Sequence, residues 1–111
     1  MKIVTEHSFS IQIYIAGDIS VIKQTCRAYC MEDGLCVTIT PTDFIYTGGE
    51  ESGVCVGIVN YPRFPLTKKE LYEKAIRLAN ELIVVAHQWT ALVVTPEMTV
   101  WLSRREEGNG K

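Results

Sequence analysis

Hydrophobic and polar residues repeat along this chain at two periods, and the switches between them mark out its elements. The longest helical pattern runs from Leu66 to Gln88. Leu71, Ala75, Leu78, Leu82 and Trp89 share one face at three- and four-residue steps, while Lys74, Arg77, Asn80 and Glu81 mark the others. Its start is written in Leu66-Thr67-Lys68-Lys69-Glu70-Leu71. Thr67 caps with its hydroxyl, Glu70 reaches back to the cap's own N–H, and Leu66 and Leu71 staple the entry. About 21 residues span roughly 31 Å, enough to cover a small sheet.

Ser8 to Ala16 alternates with period two: Phe9, Ile11, Ile13 and Ile15 against Ser8, Ser10, Gln12 and Tyr14, a strand with one covered face. Asp18 is placed to cap a shorter helix whose face carries Ile19, Ile22, Cys26 and Tyr29, and Gly34 is its terminator. Glu32 and Asp33 at its C-terminus oppose the helix dipole, and the sequence offers no reason for them. Leu35 to Thr40 is a second strand, ended or bulged at Pro41, with β-like residues resuming at Phe44-Ile45-Tyr46. Gly48 to Gly53 reads as a glycine-rich acidic turn carrying Glu50 and Glu51 at its tip, and Val54 to Val59 as a central third strand. After the long helix, Ala91 to Val94 and Met98 to Leu102 read as a small hairpin in preference to one bulged strand.

The order strand, helix, strand, strand, helix, strand resembles the ferredoxin-like pattern. It implies an α+β β-α-β-β-α-β sandwich with an antiparallel sheet of order 4-1-3-2 and both helices on one face, to which Met98 to Leu102 would add an extra C-terminal β segment. Residues 1–103 form the one expected domain, and 104–111 a flexible tail.

Composition narrows the functional classes. At 111 residues and 47% hydrophobic, the chain can build a core without metals or disulfides. A net charge of −2 with unclustered Lys and Arg argues against a duplex nucleic-acid partner. No apolar run suits a membrane span and the N-terminus does not read as a secretory signal, so the expected compartment is the cytoplasm, with the four cysteines as thiols.

The expected topology points to a pocket. Strands 1 and 3 are read as neighbours running the same way, so that Gly17-Asp18 would sit beside Asn60-Tyr61-Pro62-Arg63-Phe64, between two helix N-termini suited to anions. Asp18, Tyr61, Arg63, Phe64 and Lys68 are the candidate ligand- or partner-binding residues. The alternative is structural: Tyr61 and Phe64 plug the core and Arg63 pairs with Asp18.

Other constellations carry little. Cys26 and Cys30 lie four apart and Cys36 follows, without the second pair of a zinc site, so no metal and no cofactor is expected. His7 and His87 have no nucleophile at motif spacing. No phosphate loop occurs, and no catalytic residue is assigned.

The face turned away from the helices should carry Ser10, Gln12, Tyr14 and Thr38, neutral groups that invite another surface, with Glu50 and Glu51 at the hairpin tip suited to a basic partner. These six residues form the expected interface. The favoured reading is therefore a small non-enzymatic, homodimeric protein-interaction module, in one version a phage- or mobile-element-encoded inhibitor of a host complex. A small-ligand regulatory module, resembling ACT-like dimers in fold order alone, is the alternative. An enzyme with a dimer-interface site using Tyr14, His7 or Arg63 is the third.

Overall fold

The computed structural model describes residues 1–105. Its central strand β1 (Ile11–Ala16) forms where period-two alternation meets β-branched residues: Ile11, Ile13 and Ile15 are buried and the residues between them face the opposite way. The chain continues as α1 (Ile19–Asp33), β2 (Cys36–Tyr46), β3 (Gly49–Val59), α2 (Lys68–Val85), β4 (Thr90–Val94) and β5 (Thr99–Ser103). Both predicted caps are present. Asp18 accepts the Ser20 N–H at 2.7 Å, and Thr67 and Glu70 exchange hydrogen bonds in a full capping box. The helices lie on the isoleucine face. Ile22, Cys26 and Tyr29 of α1 and Leu71, Ala75, Leu78 and Leu82 of α2 pack there with Val54, Val56, Ile58 and Val93. Among the described residues no helix is long and apolar enough to cross a membrane.

The expected four-stranded 4-1-3-2 ferredoxin-like sheet is not what forms. The sheet has five strands in the order β2-β3-β1-β4-β5, every pair antiparallel. The fifth strand exists because Thr95 to Met98 turns the chain back. The buried Thr95 accepts the Glu97 and Met98 N–H groups on its hydroxyl, and its own N–H donates to the Met98 carbonyl at 2.8 Å. The second correction is direction. β1 and β3 run antiparallel, with Ala16 opposite Gly53, so their C-terminal ends lie at opposite ends of the sheet.

Two breaks expected from composition are absent. β2 runs straight through Pro41, because it is an edge strand and a missing N–H on its outer side costs no ladder bond. The glycine-rich stretch is mostly strand: β3 starts at Gly49, and the turn is Thr47-Gly48 alone, with Gly48 at φ 94°, a value glycine adopts freely. Glu50 and Glu51 therefore point to opposite faces of a two-stranded ribbon rather than sharing a tip.

The acidic end of α1 finds its partners on α2. Asp33 lies 3.2 Å from the Lys74 ammonium and 3.3 Å from the Arg77 guanidinium, and Lys74 also donates to the Asp33 carbonyl. The Tyr29 hydroxyl first, and then Lys74, hold the Asp33 carboxyl down to about 2. Burial pushes the Tyr29 phenol up to about 12. The expected tail falls largely on residues 106–111, outside the described residues.

Candidate functional site

The sheet face away from the helices ends in an aromatic cavity of about 370 Å³. All five strands, the exit from α2 and Arg105 build it. β1 contributes Tyr14, which faces outward because Ile13 and Ile15 face the core. The ribbon contributes Phe44 and Glu51, which are paired across β2 and β3 and so share that face. β5 contributes Trp101, set opposite Leu92 of β4. The exit from α2 contributes Trp89, and Arg105 joins the lining beyond β5.

Trp89 reaches the cavity through an unusual helix end. His87 adopts φ 57°, and the Gln88 N–H donates back to the Ile83 carbonyl at 2.9 Å. This closure usually takes glycine at the left-handed residue. It turns the chain out of the helix and straight into β4.

The cavity walls are tied together. Tyr14 and Phe44 meet edge to face, centroids 6.2 Å apart at 79°. The Arg104 and Arg105 guanidinium carbons stand 4.9 and 5.3 Å from the Trp89 ring centre. Arg104 is fixed by donating to the Gln88 carbonyl at 2.8 Å. The Cys55 sulfur beside Tyr14 raises its phenol, and burial raises the Cys55 thiol, so both are protonated at neutral pH. Glu51 supplies a carboxylate at one wall and Arg105 a cation at another. The arrangement suits a ligand with flat apolar parts and charges of both signs.

Of the residues singled out in the sequence, Tyr14 and Glu51 come together here. Gln12 and Thr38 share the outer face, Ser10 is exposed just ahead of β1, and Glu50 lies on the opposite side of the ribbon. The antiparallel β1–β3 pairing separates Asp18 from Tyr61, Arg63 and Phe64, so the expected anion pocket is not assembled. Asp18 caps α1, Tyr61 and Phe64 stack on each other, Arg63 lies over Phe64, and Lys68 pairs with Glu97 at 2.9 Å. Sequence reading missed Phe44, Trp89, Trp101 and Arg105. The signal available was parity: a Thr47-Gly48 turn puts Phe44 on the Glu51 face, and a hairpin over 91–102 puts Trp101 on the Tyr14 face.

No family model matches the chain, and no curated protein matches it. Two solved structures share its fold. A phage SAM lyase in complex with S-methyl-5'-thioadenosine matches with a TM-score of 0.69 at 17% identity, over 96% of this chain and 98% of that one. A phage SAM lyase in its apo state matches with a TM-score of 0.71 at 18% identity, over 96% and 97%. The likeness is one of fold. In both solved cases the fold belongs to an enzyme, which runs against the expectation of a non-enzymatic interaction module.

Proposed function

We propose that the chain is a lyase that cleaves S-adenosylmethionine in the aromatic cavity, releasing S-methyl-5'-thioadenosine. The observation that carries this reading is the composition of the cavity, in a chain whose fold is that of a phage SAM lyase. The substrate has three recognisable parts. Its adenine is a flat π-system that stacks on an indole such as Trp89 or Trp101. Its sulfonium is a cation without N–H or O–H donors, so it is held by aromatic faces and by a carboxylate, here Tyr14, Phe44 and Glu51. Its amino-acid carboxylate matches the Arg105 guanidinium. At about 370 Å³ the cavity falls within the roughly 300–1,000 Å³ of small-molecule sites.

The chemistry asks little of the protein. The bond between sulfur and the γ-carbon of the amino-acid arm breaks, and its electron pair stays on sulfur. The leaving group is a neutral thioether and takes no proton, so no general acid is required. A lyase breaks this bond without water, and the step balances when an oxygen of the substrate's own carboxylate attacks the γ-carbon as the C–S bond breaks, closing a five-membered lactone beside the neutral thioether. The protein's part is to hold the arm in a reactive conformation and exclude water. The test is to incubate the purified chain with S-adenosylmethionine and follow S-methyl-5'-thioadenosine by chromatography. Product that appears with the wild type and falls at least ~10-fold with Trp101→Ala supports the reading. Intact substrate after prolonged incubation with folded protein overturns it.

A second reading concerns assembly. Beyond Gly53, among the described residues, β2 and β3 pair as strands only with each other, the Gly17 N–H reaching the Ser52 carbonyl at 3.3 Å, and Ile45 and Tyr46 on this ribbon are 79% and 53% exposed. A two-stranded ribbon is marginal by itself, which supports self-association of the chain through the ribbon and the outer sheet face. A solution mass of one chain across the micromolar range removes this reading.

A further inference from the structure

The two tryptophans of the aromatic cavity are not equivalent. Trp101 projects from the middle of β5, opposite Leu92 of β4, and is 60% exposed. Among the described residues, neither an aromatic ring nor a cationic side chain lies over its indole. Trp89 is also half-exposed, but its ring is already engaged by the Arg104 and Arg105 guanidinium groups, at 4.9 and 5.3 Å from its centre. An indole attracts cations through its quadrupole, so a neutral base stacking on Trp89 competes with two of them.

Strand register accounts for the difference. The β4–β5 pairing ends with Thr90 opposite Ser103. One rung further the alignment continues, and the Arg104 N–H donates to the Trp89 carbonyl at 3.0 Å. Directly opposed residues on neighbouring strands are close enough for long side chains to meet, which brings the Arg104 guanidinium to the indole. Arg104 Nε then donates to the Gln88 carbonyl at 2.8 Å and anchors that side chain. Arg104 itself lies outside the cavity lining, whereas Arg105 belongs to it. Arg105 is held at its backbone, where its N–H donates to Ser103 Oγ at 3.1 Å, and its guanidinium rests by the Trp89 ring.

We propose that the two indoles divide the substrate between them: Trp101 takes the adenine, while Trp89, locked by Arg104, holds Arg105 in place for the carboxylate of the amino-acid arm. The division rests on the lyase reading of the cavity and adds which side chain meets which end of the ligand. Arg104 is then a positioning residue, acting through Trp89 and Arg105 without touching the substrate. A guanidinium on a long stem loses rotamer freedom when it binds a carboxylate, and packing it against a fixed ring beforehand moves that cost from binding to folding. A carboxylate has two oxygens, so one held by Arg105 leaves the other to close on the γ-carbon.

The test uses the whole chain and two probes. S-methyl-5'-thioadenosine reports on the adenine end alone, and S-adenosylhomocysteine, which keeps the amino-acid arm on a neutral sulfur, reports on both ends. Trp89→Phe and Trp101→Phe leave one indole each. At concentrations of S-methyl-5'-thioadenosine that saturate the wild type by calorimetry, the fluorescence of Trp89→Phe should be largely quenched, because its remaining Trp101 stacks on the base. The fluorescence of Trp101→Phe should hardly change. Arg104→Ala should bind S-adenosylhomocysteine ~5-fold more weakly and S-methyl-5'-thioadenosine as before, a split that a general loss of structure does not produce. Quenching in Trp101→Phe, quenching in neither variant, or an equal loss of both ligands in Arg104→Ala overturns the division and leaves the lyase reading standing. A wild-type chain that binds neither probe removes both. Arg104 is exposed, so its variant decides the matter even if a tryptophan variant does not fold.

Discussion

Replacing Gly53 with alanine puts a methyl group where the fold has no room for one. The added carbon would lie 2.3 Å from the Ile15 carbonyl oxygen, 2.5 Å from Phe44 Cε2 and 2.7 Å from the Ala16 Cα. Two of these three neighbours are backbone, so β1 and β3 must separate at their last shared rung, Ala16 and Gly53. Overpacking costs about 1–3 kcal/mol, and a lost ladder bond adds roughly 1 kcal/mol. The preference for alanine over glycine in a strand returns about 0.5–1 kcal/mol. The net is a destabilisation of about 1–3.5 kcal/mol, or a Tm lower by roughly 5–20 °C for a domain of this size. Phe44 is pushed off Tyr14 as well, so ligand binding in the aromatic cavity should weaken. Gly57→Ala and Gly49→Ala calibrate the result. At Gly57 the new carbon meets the Thr38 hydroxyl at 2.5 Å, which can rotate, and at Gly49 it meets only the Tyr46 ring, at 3.1–3.3 Å. Thermal unfolding should therefore rank Gly53 well below Gly57, with Gly49 nearest the wild type. A Gly53→Ala protein that melts within two or three degrees of the parent would show that the close approach in this region has been misread.

His87→Gly should raise stability by about 1 kcal/mol, since glycine accepts φ 57° without strain, while His87→Val should lower it; urea titration reads both. Asp33→Asn tests the clamp between the helices. The folded Asp33 carboxyl sits at about 2 against an ordinary value of 3.8, so it adds stability above about pH 4, and that contribution fades as pH falls to about 2. The gap between wild type and Asp33→Asn should accordingly be widest near neutral pH and vanish in strong acid, and a gap independent of pH would remove the assigned cause. Glu51→Gln keeps the shape of the cavity but removes its carboxylate. Binding of S-adenosylmethionine, followed by calorimetry, should weaken about 10-fold, with little change in affinity for the uncharged S-methyl-5'-thioadenosine.

The local elements were plain in the sequence because each rests on neighbours in the chain. The isoleucine alternation of β1, the Thr67–Glu70 capping box and the Gly34 terminator all follow from spacing of five residues or fewer. What spacing does not carry is strand direction. Reading strands 1 and 3 as parallel put Asp18 beside Arg63, whereas the antiparallel pairing puts Ala16 beside Gly53 and moves the site to the ribbon end. Edge position is equally silent, and Pro41 looked like a break because nothing local says that β2 has a free side. The aromatic cavity was hidden for the same reason. Trp89 and Trp101 lie twelve residues apart and meet only through the β4–β5 register, while Phe44 joins them from a different hairpin. The reason for Asp33 was unreadable because its partners, Lys74 and Arg77, are more than forty residues away.

Pro41 also governs how this molecule meets its own kind. β2 is an eleven-residue outer strand, the sort of exposed border onto which another chain can stack and begin a fibril. Proline near its midpoint interrupts the docking row, leaving two short runs, each a poor template for a foreign strand. One imino acid thus breaks up this border, at no cost to the sheet behind it, while β5 forms the opposite edge.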